Sequence, residues 1–401
     1  MNFLPLLLVT ALLHAYIGAR VVPELAAYPP GQALMVGGLV LSTLVMPLGL
    51  MGKTVARRLG TLANTPQLAD VLTWAGLLFM GLFSSLLVLT VARDAVLLLL
   101  GLVDVVLPAA LPLARLKTVS AEAVPLLGLL VTLLGFLNAR RTAAVVRVDV
   151  PIKGLNAALH GFTVAQISDI HVGPTIKQRY LRRIVDRVNA LGADVVAITG
   201  DLVDGKVSEL AAHVAPLADL QSRHGTYFVT GNHEYYSGAH AWIDELRRLG
   251  LTVLMNEHVV IRPRADPAGF EAGFVPDTAG LLVLAGVTDF GAHHFDPSHR
   301  SDPVAALLGA PAHALRVLLA HQPRSAPAAA RAGFDLQLSG HTHGGQFYPW
   351  NLFVRFQQPF TKGLHKLQDL WVYTSRGTGY WGPPKRFGAP SEITFLRLVG
   401  A

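Results

Sequence analysis

Five short polar clusters carry groups able to hold metal ions. They are Asp169 with His171; Gly200 with Asp201; Gly231, Asn232, His233 and Glu234; His321; and Gly340, His341, Thr342 and His343, trailed by Gly344 and Gly345. Imidazole nitrogens and carboxylate oxygens without sulfur suit manganese, iron, zinc or a similar divalent ion. Two such ions about 4 Å apart repel each other, and a carboxylate spanning both offsets that repulsion. Asp201, a lone carboxylate in a glycine-led turn, is the natural bridge. Asn232 would bind through a neutral carbonyl, which limits negative charge and lets an anionic phosphate approach. His341 and His343 alternate along an extended segment, so one could serve each ion. Taken singly, Gly200-Asp201 or His341-Thr342-His343 would more often be a surface turn; the ordered set of five carries the signal.

Each cluster follows a strand-like run, at 162–167, 195–199, 227–230, 316–320 and 336–339. Helical patterns occupy 176–191, 208–220, 241–249 and 325–332. Further strands are expected near Val253 and Val259 and over 281–285, 371–374 and 393–398. This alternation indicates an α/β domain, and open α/β sheets bind ligands beyond the carboxyl ends of their strands. The stretch 265–278, rich in Pro, Gly and Asp, reads as a surface loop. His293, His294 and His299 follow Asp289 and either line the pocket or sit in a solvated loop, the commoner outcome. His160, His213, His224 and His240 read as surface residues.

The 401-residue chain is 52% hydrophobic and 15% charged, against about 25% charged in an average soluble domain. Its mean hydropathy is +0.44, which excludes intrinsic disorder. The absence of cysteine excludes disulfides, thiolate zinc sites, iron–sulfur clusters and cysteine nucleophiles. A net charge of +7 fits nucleic acid, anionic lipid or a phosphorylated substrate. The basic residues are scattered, with no recognition helix or aromatic RNA-binding strand, so no nucleic-acid partner is expected.

Residues 1–139 hold seven Lys/Arg, five Asp/Glu and only His14 among the 16 histidines. Runs at 3–18, 32–51, 71–92, 95–114 and 124–138 approach the roughly 20 apolar residues needed to cross a bilayer. No Lys or Arg precedes the first, so it lacks the positive n-region of a signal peptide. The fourth contains Asp104, Pro108 and Pro112 and is parted from the third only by Arg93-Asp94, giving four or five spans. Lys53, Arg57, Arg58, Arg115 and Lys117 flank one side; Arg20, Arg93, Arg140, Arg141, Arg147 and Lys153 flank the other. That near-balance leaves membrane orientation undecided. The expected organisation is a multi-pass cell-membrane region over 1–139, a linker over 140–154 and a catalytic domain over 155–401.

Ser168-Asp169-Ile170-His171, Gly200-Asp201, Gly231-Asn232-His233-Glu234, His321 and Gly340-His341-Thr342-His343 resemble, in order and spacing, the calcineurin-like metallophosphoesterase superfamily. Gly344-Gly345-Gln346, His321-Gln322-Pro323, Ser375-Arg376-Gly377, Pro390 and Glu392 resemble its membrane-associated bacterial branch. The resemblance implies a four-layer α/β/β/α sandwich holding two divalent metal ions, of manganese, iron or zinc type. Asp169, His171, Asp201 and His343 would hold one ion, and Asp201, Asn232, His321 and His341 the other. His233 would face the leaving group without binding metal. Glu234 departs from the commoner Asp, at a position expected not to bind metal. The implied reaction is phosphoester or pyrophosphate hydrolysis by a metal-bridging hydroxide.

Between Gln346 and Lys366 lie Phe347, Tyr348, Trp350, Phe353, Phe356 and Phe360, beside Arg355, Lys362 and Lys366. These either pack the domain's own core and rim or rest at a bilayer interface and admit a lipid phosphate. With the membrane region, they make a lipid-linked phosphate the leading substrate class. The similar branch includes UDP-diacylglucosamine pyrophosphohydrolases. A soluble phosphodiester and a non-catalytic membrane sensor are the alternatives.

Overall fold

The computed structural model describes residues 3–51, 66–108, 111–263 and 280–401. The loop expected over 265–278 and the basic residues Lys53, Arg57 and Arg58 lie outside these. The chain divides into two units, one containing the N-terminal helices with Gly382–Phe387, the other running over Arg141–Trp381 and Gly388–Ala401.

The first unit has four long helices among the described residues: α1 (Phe3–Val21), α2 (Pro29–Leu50), α3 (Pro66–Val106) and α4 (Leu113–Arg140). All four are long and apolar enough to cross a membrane. The run expected at 71–92 and most of the run expected at 95–114 lie in one continuous helix. They merge into the 41-residue α3, about 60 Å at 1.5 Å per residue. Charge does not break a helix when its side chains find partners. Asp94 accepts from Arg20 Nε at 2.8 Å and Tyr16 OH at 2.7 Å, while Arg93 donates to Ser120 Oγ at 2.9 Å. Breakage comes at the prolines, Pro108 just after α3 and Pro112 just before α4. Within this unit Lys385 Nζ donates to Gly81 O at 3.0 Å and Ser85 Oγ at 2.6 Å.

The second unit is built on two six-stranded mixed sheets. The first comprises β1 (Ala144–Ile152), β12 (Glu392–Gly400), β2 (Thr163–Ile167), β3 (Val195–Ile198), β4 (Thr226–Phe228) and β5 (Thr252–Val253), in that order. The second runs β10 (Gly363–Leu367), β11 (Leu370–Thr374), β9 (Leu336–Ser339), β8 (Leu315–Leu319), β7 (Leu282–Gly286) and β6 (Glu257–Ile261). Residues 144–152, expected within a linker, instead form β1, pairing in parallel with β12 from Ala144 opposite Glu392 to Ile152 opposite Gly400. Its arginine and aspartate had masked a strand of alternating polarity, Ala-Val-Val-Arg-Val-Asp-Val.

Strand alternation sets the layers. Val164, Val195, Ala197, Leu282, Leu284, Val317, Leu319, Leu336, Leu338 and Leu396 form one core between the sheets. The intervening Val283, Ala285, Leu318, Ala320 and Val372 turn outward and pack on Ala326 and Ala329 of helix α9 (Ala326–Ala332). Helices α5 (Gln178–Asn189) and α8 (Ala239–Arg248) bury one apolar face each, Leu181, Ile184 and Val188 in the former and Trp242, Ile243 and Leu246 in the latter. Apolar residues on both strand faces are what a sheet covered on both sides requires. The helix expected over 208–220 is shorter: α6 (Val207–Val214) yields to a 3₁₀ turn at Ala215–Asp219, where Pro216 has no N–H for the helical ladder. Helix α7 (Asn232–Ser237) completes the elements near the polar clusters.

Leu338 is fully buried between the sheets. Leu338→Ala should cost about 3 kcal/mol, a fall in Tm of roughly 6–12 °C for a domain of this size. Thermal unfolding of the full chain in detergent, followed by near-UV circular dichroism, measures it.

Candidate metal centre

The carboxyl ends of strands from both sheets meet at one place. β2 delivers Asp169 and His171, β3 Asp201, β4 Asn232 and His233, β8 His321, and β9 His341 and His343. Short strands, most under six residues, end abruptly, and the chain turns at once. Five of the eight expected site residues turn through the left-handed region, with φ of 53° at Asp169, 56° at His171, 52° at Asp201, 69° at His341 and 50° at His343. Non-glycine residues there cost roughly 1–3 kcal/mol each and persist only where surroundings hold them. Such strain concentrated at polar loop tips marks a site.

Three overlapping donor groups form, one of them His171, Asp201 and His233. Asp169, His171 and His343 have ligand atoms mutually within 4.8 Å, as do Asp201, His321 and His341. His171 Nε2 lies 3.0 Å from His343 Nε2, and Asp169 Oδ1 is 3.5 Å from that same nitrogen of His343. In the last group, His321 Nε2 lies 3.2 Å from His341 Nδ1 and 3.1 Å from Asp201 Oδ2. Asp201 Oδ2 also lies 4.0 Å from His171 Nε2, so it stands between the groups.

The tautomers say what belongs between these atoms. His321 Nδ1 is 2.7 Å from the Thr199 carbonyl, which can only accept, so Nδ1 carries the proton. Its Nε2 then presents a lone pair to the Asp201 carboxylate. His171 behaves alike: Nδ1 faces Asp204 Oδ1 at 3.1 Å, leaving Nε2 directed at another imidazole nitrogen. A neutral His321 thus turns a lone pair toward a carboxylate, a contact that either a proton or a metal cation resolves. Asn232 Oδ1 is buried and meets no hydrogen-bond donor, the state of an oxygen reserved for a metal ion. The donor set therefore fits divalent cations.

A proton can take the same place. Burial would strip the proton from His321, yet the carboxylates of Asp201 and Asp169 reverse this and raise its pKa to about 10. Burial, with the charge on His321, pushes His341 down to about 3. Burial also works against the charged Asp201, but His321 holds its carboxyl well below the usual range. The carboxylates thus favour one positive charge at His321, and burial together with that charge keeps His341 neutral.

His233 shares a donor group with His171 and Asp201 but belongs to neither of the other two. Its Nδ1 lies 2.6 Å from Asp204 Oδ1, and its ring meets Tyr236 and Trp381 edge-on at centroid distances of 5.2 and 5.7 Å. Burial opposes its charged form, but Asp204 and Asp201 prevail and raise the pKa to about 9. The indole is located by Gln346, whose Nε2 donates to Trp381 O at 2.7 Å and whose Oε1 accepts from Trp381 N at 2.8 Å.

Of three supporting residues, Asp204 escaped sequence reasoning, while Glu234 and Glu392 were named there without the structural roles they prove to have. Asp204 holds both His171 and His233; its only sequence signal is its place three residues after Asp201. Glu234 is fully buried and accepts from the amides of Asp201 at 3.0 Å, Leu202 at 2.8 Å and Gly231 at 2.6 Å, tying two metal-facing loops together. Burial and Asp201 raise its pKa to about 7. Glu392, buried, accepts from Arg376 Nε at 2.6 Å and Tyr373 OH at 2.8 Å. It anchors the segment in which Thr378 N donates to Ser168 O and Gly379 N to Asp169 O. Two glycines admit the close approach of loops. A Cβ at Gly340 would strike Ser168 Oγ and the Asp169 carboxylate, and one at Gly231 would strike Asp201.

His293, His294 and His299 take no part in these three groups. Of the aromatic segment, Phe347 is buried and Phe360 half-buried, but Tyr348, Trp350, Phe353 and Phe356 are exposed, Phe356 to 75%.

A family profile described as calcineurin-like phosphoesterase matches residues 162–345. A transmembrane protein with metallophosphoesterase domain from Danio rerio is 39% identical over 273 residues, covering 67% of this chain and 60% of its own. An uncharacterized metallophosphoesterase of Campylobacter jejuni is 36% identical over 265 residues, 66% of this chain and 65% of its own. The chain thus spans less than two thirds of the length of these two relatives. Another uncharacterized metallophosphoesterase, from Aquifex aeolicus, is 30% identical and matched over 85% of its length. The chain belongs to the calcineurin-like metallophosphoesterase family.

Proposed function

We propose that this chain is a membrane-anchored phosphohydrolase using two divalent metal ions. The observation that carries the reading is the buried, donorless Oδ1 of Asn232 beside converging sets of imidazole and carboxylate donors. Asp169, His171, Asp201 and His343 would hold one ion, and Asp201, Asn232, His321 and His341 the other. The ions supply Lewis acidity to water and to the phosphoryl oxygens. Asp204 takes Nδ1 of His233, leaving Nε2 to protonate the departing oxygen. Glu234 keeps the Asp201 and Asn232 loops in register. The rings of Tyr236 and Trp381, packed edge-on at His233, restrict its orientation.

The substrate is a lipid-linked phosphoester or pyrophosphate, a class that includes UDP-diacylglucosamine. Support comes from the exposed Tyr348, Trp350, Phe353 and Phe356, which follow His343 within a dozen or so residues. Amphipathic rings of this kind favour the headgroup level of a bilayer. The apolar helices, and the naming of the Danio rerio relative as a transmembrane protein, support residence at a membrane.

Chelation should abolish hydrolysis of bis-p-nitrophenyl phosphate, and Mn²⁺ should restore it. Asn232→Ala and His343→Ala should reduce turnover to background with unchanged far-UV circular dichroism; an active double variant sinks the assignment. Asp204→Asn should lower kcat roughly 10–100-fold, the usual effect of removing a residue that orients a ligand. His233→Ala should lose about 10²–10⁴ in kcat on alkyl phosphoesters and much less on p-nitrophenyl esters, whose leaving group needs no proton. A Phe353→Ser, Phe356→Ser variant should raise KM for a phospholipid-linked substrate in vesicles while leaving KM for bis-p-nitrophenyl phosphate unchanged; equal effects on both count against a lipid-linked substrate.

A further inference from the structure

Away from those overlapping donor groups, the second unit gathers another set of metal-binding atoms. We propose that His240, Asp296 and His299 form a further cation site for a zinc-class divalent metal. Their ligand atoms lie mutually within 4.8 Å. His240 Nε2 is 3.0 Å and His299 Nε2 3.8 Å from the same oxygen, Asp296 Oδ2. The two imidazoles are tilted by 49° with centroids 4.9 Å apart, so both nitrogens can face one point without stacking.

Two of the three donors are oriented by partners that leave their metal-facing atoms available. Tyr235 OH lies 2.9 Å from His299 Nδ1, which commits the opposite nitrogen to the cluster. Ser298 donates both its amide, at 2.9 Å, and its hydroxyl, at 2.6 Å, to Asp296 Oδ1, which directs Oδ2 inward. Outer partners of this kind are what metal-binding histidines and carboxylates ordinarily carry. The backbone is held as well: Thr288 Oγ1 donates to His299 O at 2.8 Å, and Asn256 Nδ2 donates to Arg300 O at 2.8 Å. His240 is the second residue of α8, whose N-cap is Gly238.

Two nitrogens and one oxygen select zinc, cobalt or nickel over magnesium and calcium, which prefer all-oxygen shells. Three protein ligands leave a tetrahedral ion one open position. A cavity of about 270 Å³, lined by His240, Asp244, Arg247, Asn256 and His299, adjoins the cluster and gives room for water or an anion there. Occupancy joins the start of α8 to the 296–299 turn across Tyr235. Phe295 in that segment packs on Tyr236 at 5.5 Å, and Tyr236 packs on His233 at 5.2 Å. A cation here therefore stiffens one wall beside His233 without touching the reacting groups.

The full-length chain in detergent is saturated with Mn²⁺, exposed to Zn²⁺, desalted, and its total metal counted by plasma mass spectrometry. The wild type should retain one metal equivalent more than His240→Ala and more than Asp296→Asn, whose amide oxygen can still accept from Ser298. Both variants should keep their hydrolysis of bis-p-nitrophenyl phosphate at saturating Mn²⁺. His343→Ala should lose metal separately while keeping the equivalent that His240→Ala removes, so the two sites fail independently. Equal totals in wild type, His240→Ala and Asp296→Asn would overturn the proposal, as would displacement of the extra equivalent by excess Mg²⁺.

Discussion

Unshared electron pairs forced to face one another are the constraint around which this protein is arranged. Each of His171 and His321 has one ring nitrogen facing an acceptor, so in its neutral form it turns the other nitrogen's lone pair toward an imidazole or a carboxylate. In water such atoms would part. Here they cannot, because each sits on the first residues beyond a strand that is locked into a six-stranded sheet. The core between the sheets, from Val164 and Ala197 to Leu338 and Leu396, fixes the distance between the two rows of strand ends. Packing thus sustains an electrostatic arrangement that the donors alone would abandon, and positive charge relieves it.

The same logic accounts for the strained backbone. A left-handed turn at Asp169, His171, Asp201, His341 and His343 swings each side chain off the strand axis within a residue or two. A gentler loop would carry the donors away from the seam between the sheets. Glycines at 231 and 340 are required for the matching reason, since neighbouring loops pass where a Cβ would stand. Stability given up at the loop tips is offset by the apolar layers beneath them.

Much of this was legible in the sequence because the polar clusters follow apolar strands directly, and strand ends are where α/β folds bind ligands. The clusters at 169–171, 201, 232–233, 321 and 341–343 do converge, and two sheets flanked by helices do form. What was hidden depended on separation along the chain. Asp204 looks like any turn aspartate until His171 and His233 are seen on one of its oxygens. His240 and His299 are far apart in sequence with no local pattern, and only folding brings them to Asp296. Strand β1 was obscured by its charged residues, which alternate outward from an edge. Helix α3 was divided in two because Arg93-Asp94 reads as a boundary by composition, whereas ion pairing and hydrogen bonding with α1 and α4 let the helix run through. The aromatic segment could not be assigned from residue types at all, since buried and exposed rings carry the same letters.

The Asp169 carboxylate serves two masters. Both of its oxygens accept from the His341 amide, at 2.9 and 3.1 Å, and Oδ1 also faces His343. Asp169 belongs to the first sheet and His341 to the second, so this is a clasp across the seam as well as a place for an ion. Electron density drawn toward a cation is withdrawn from the clasp. Loading and unloading of the site should therefore be felt as tightening or slack in the joint between the two sheets, making that joint a mechanical reporter of occupancy.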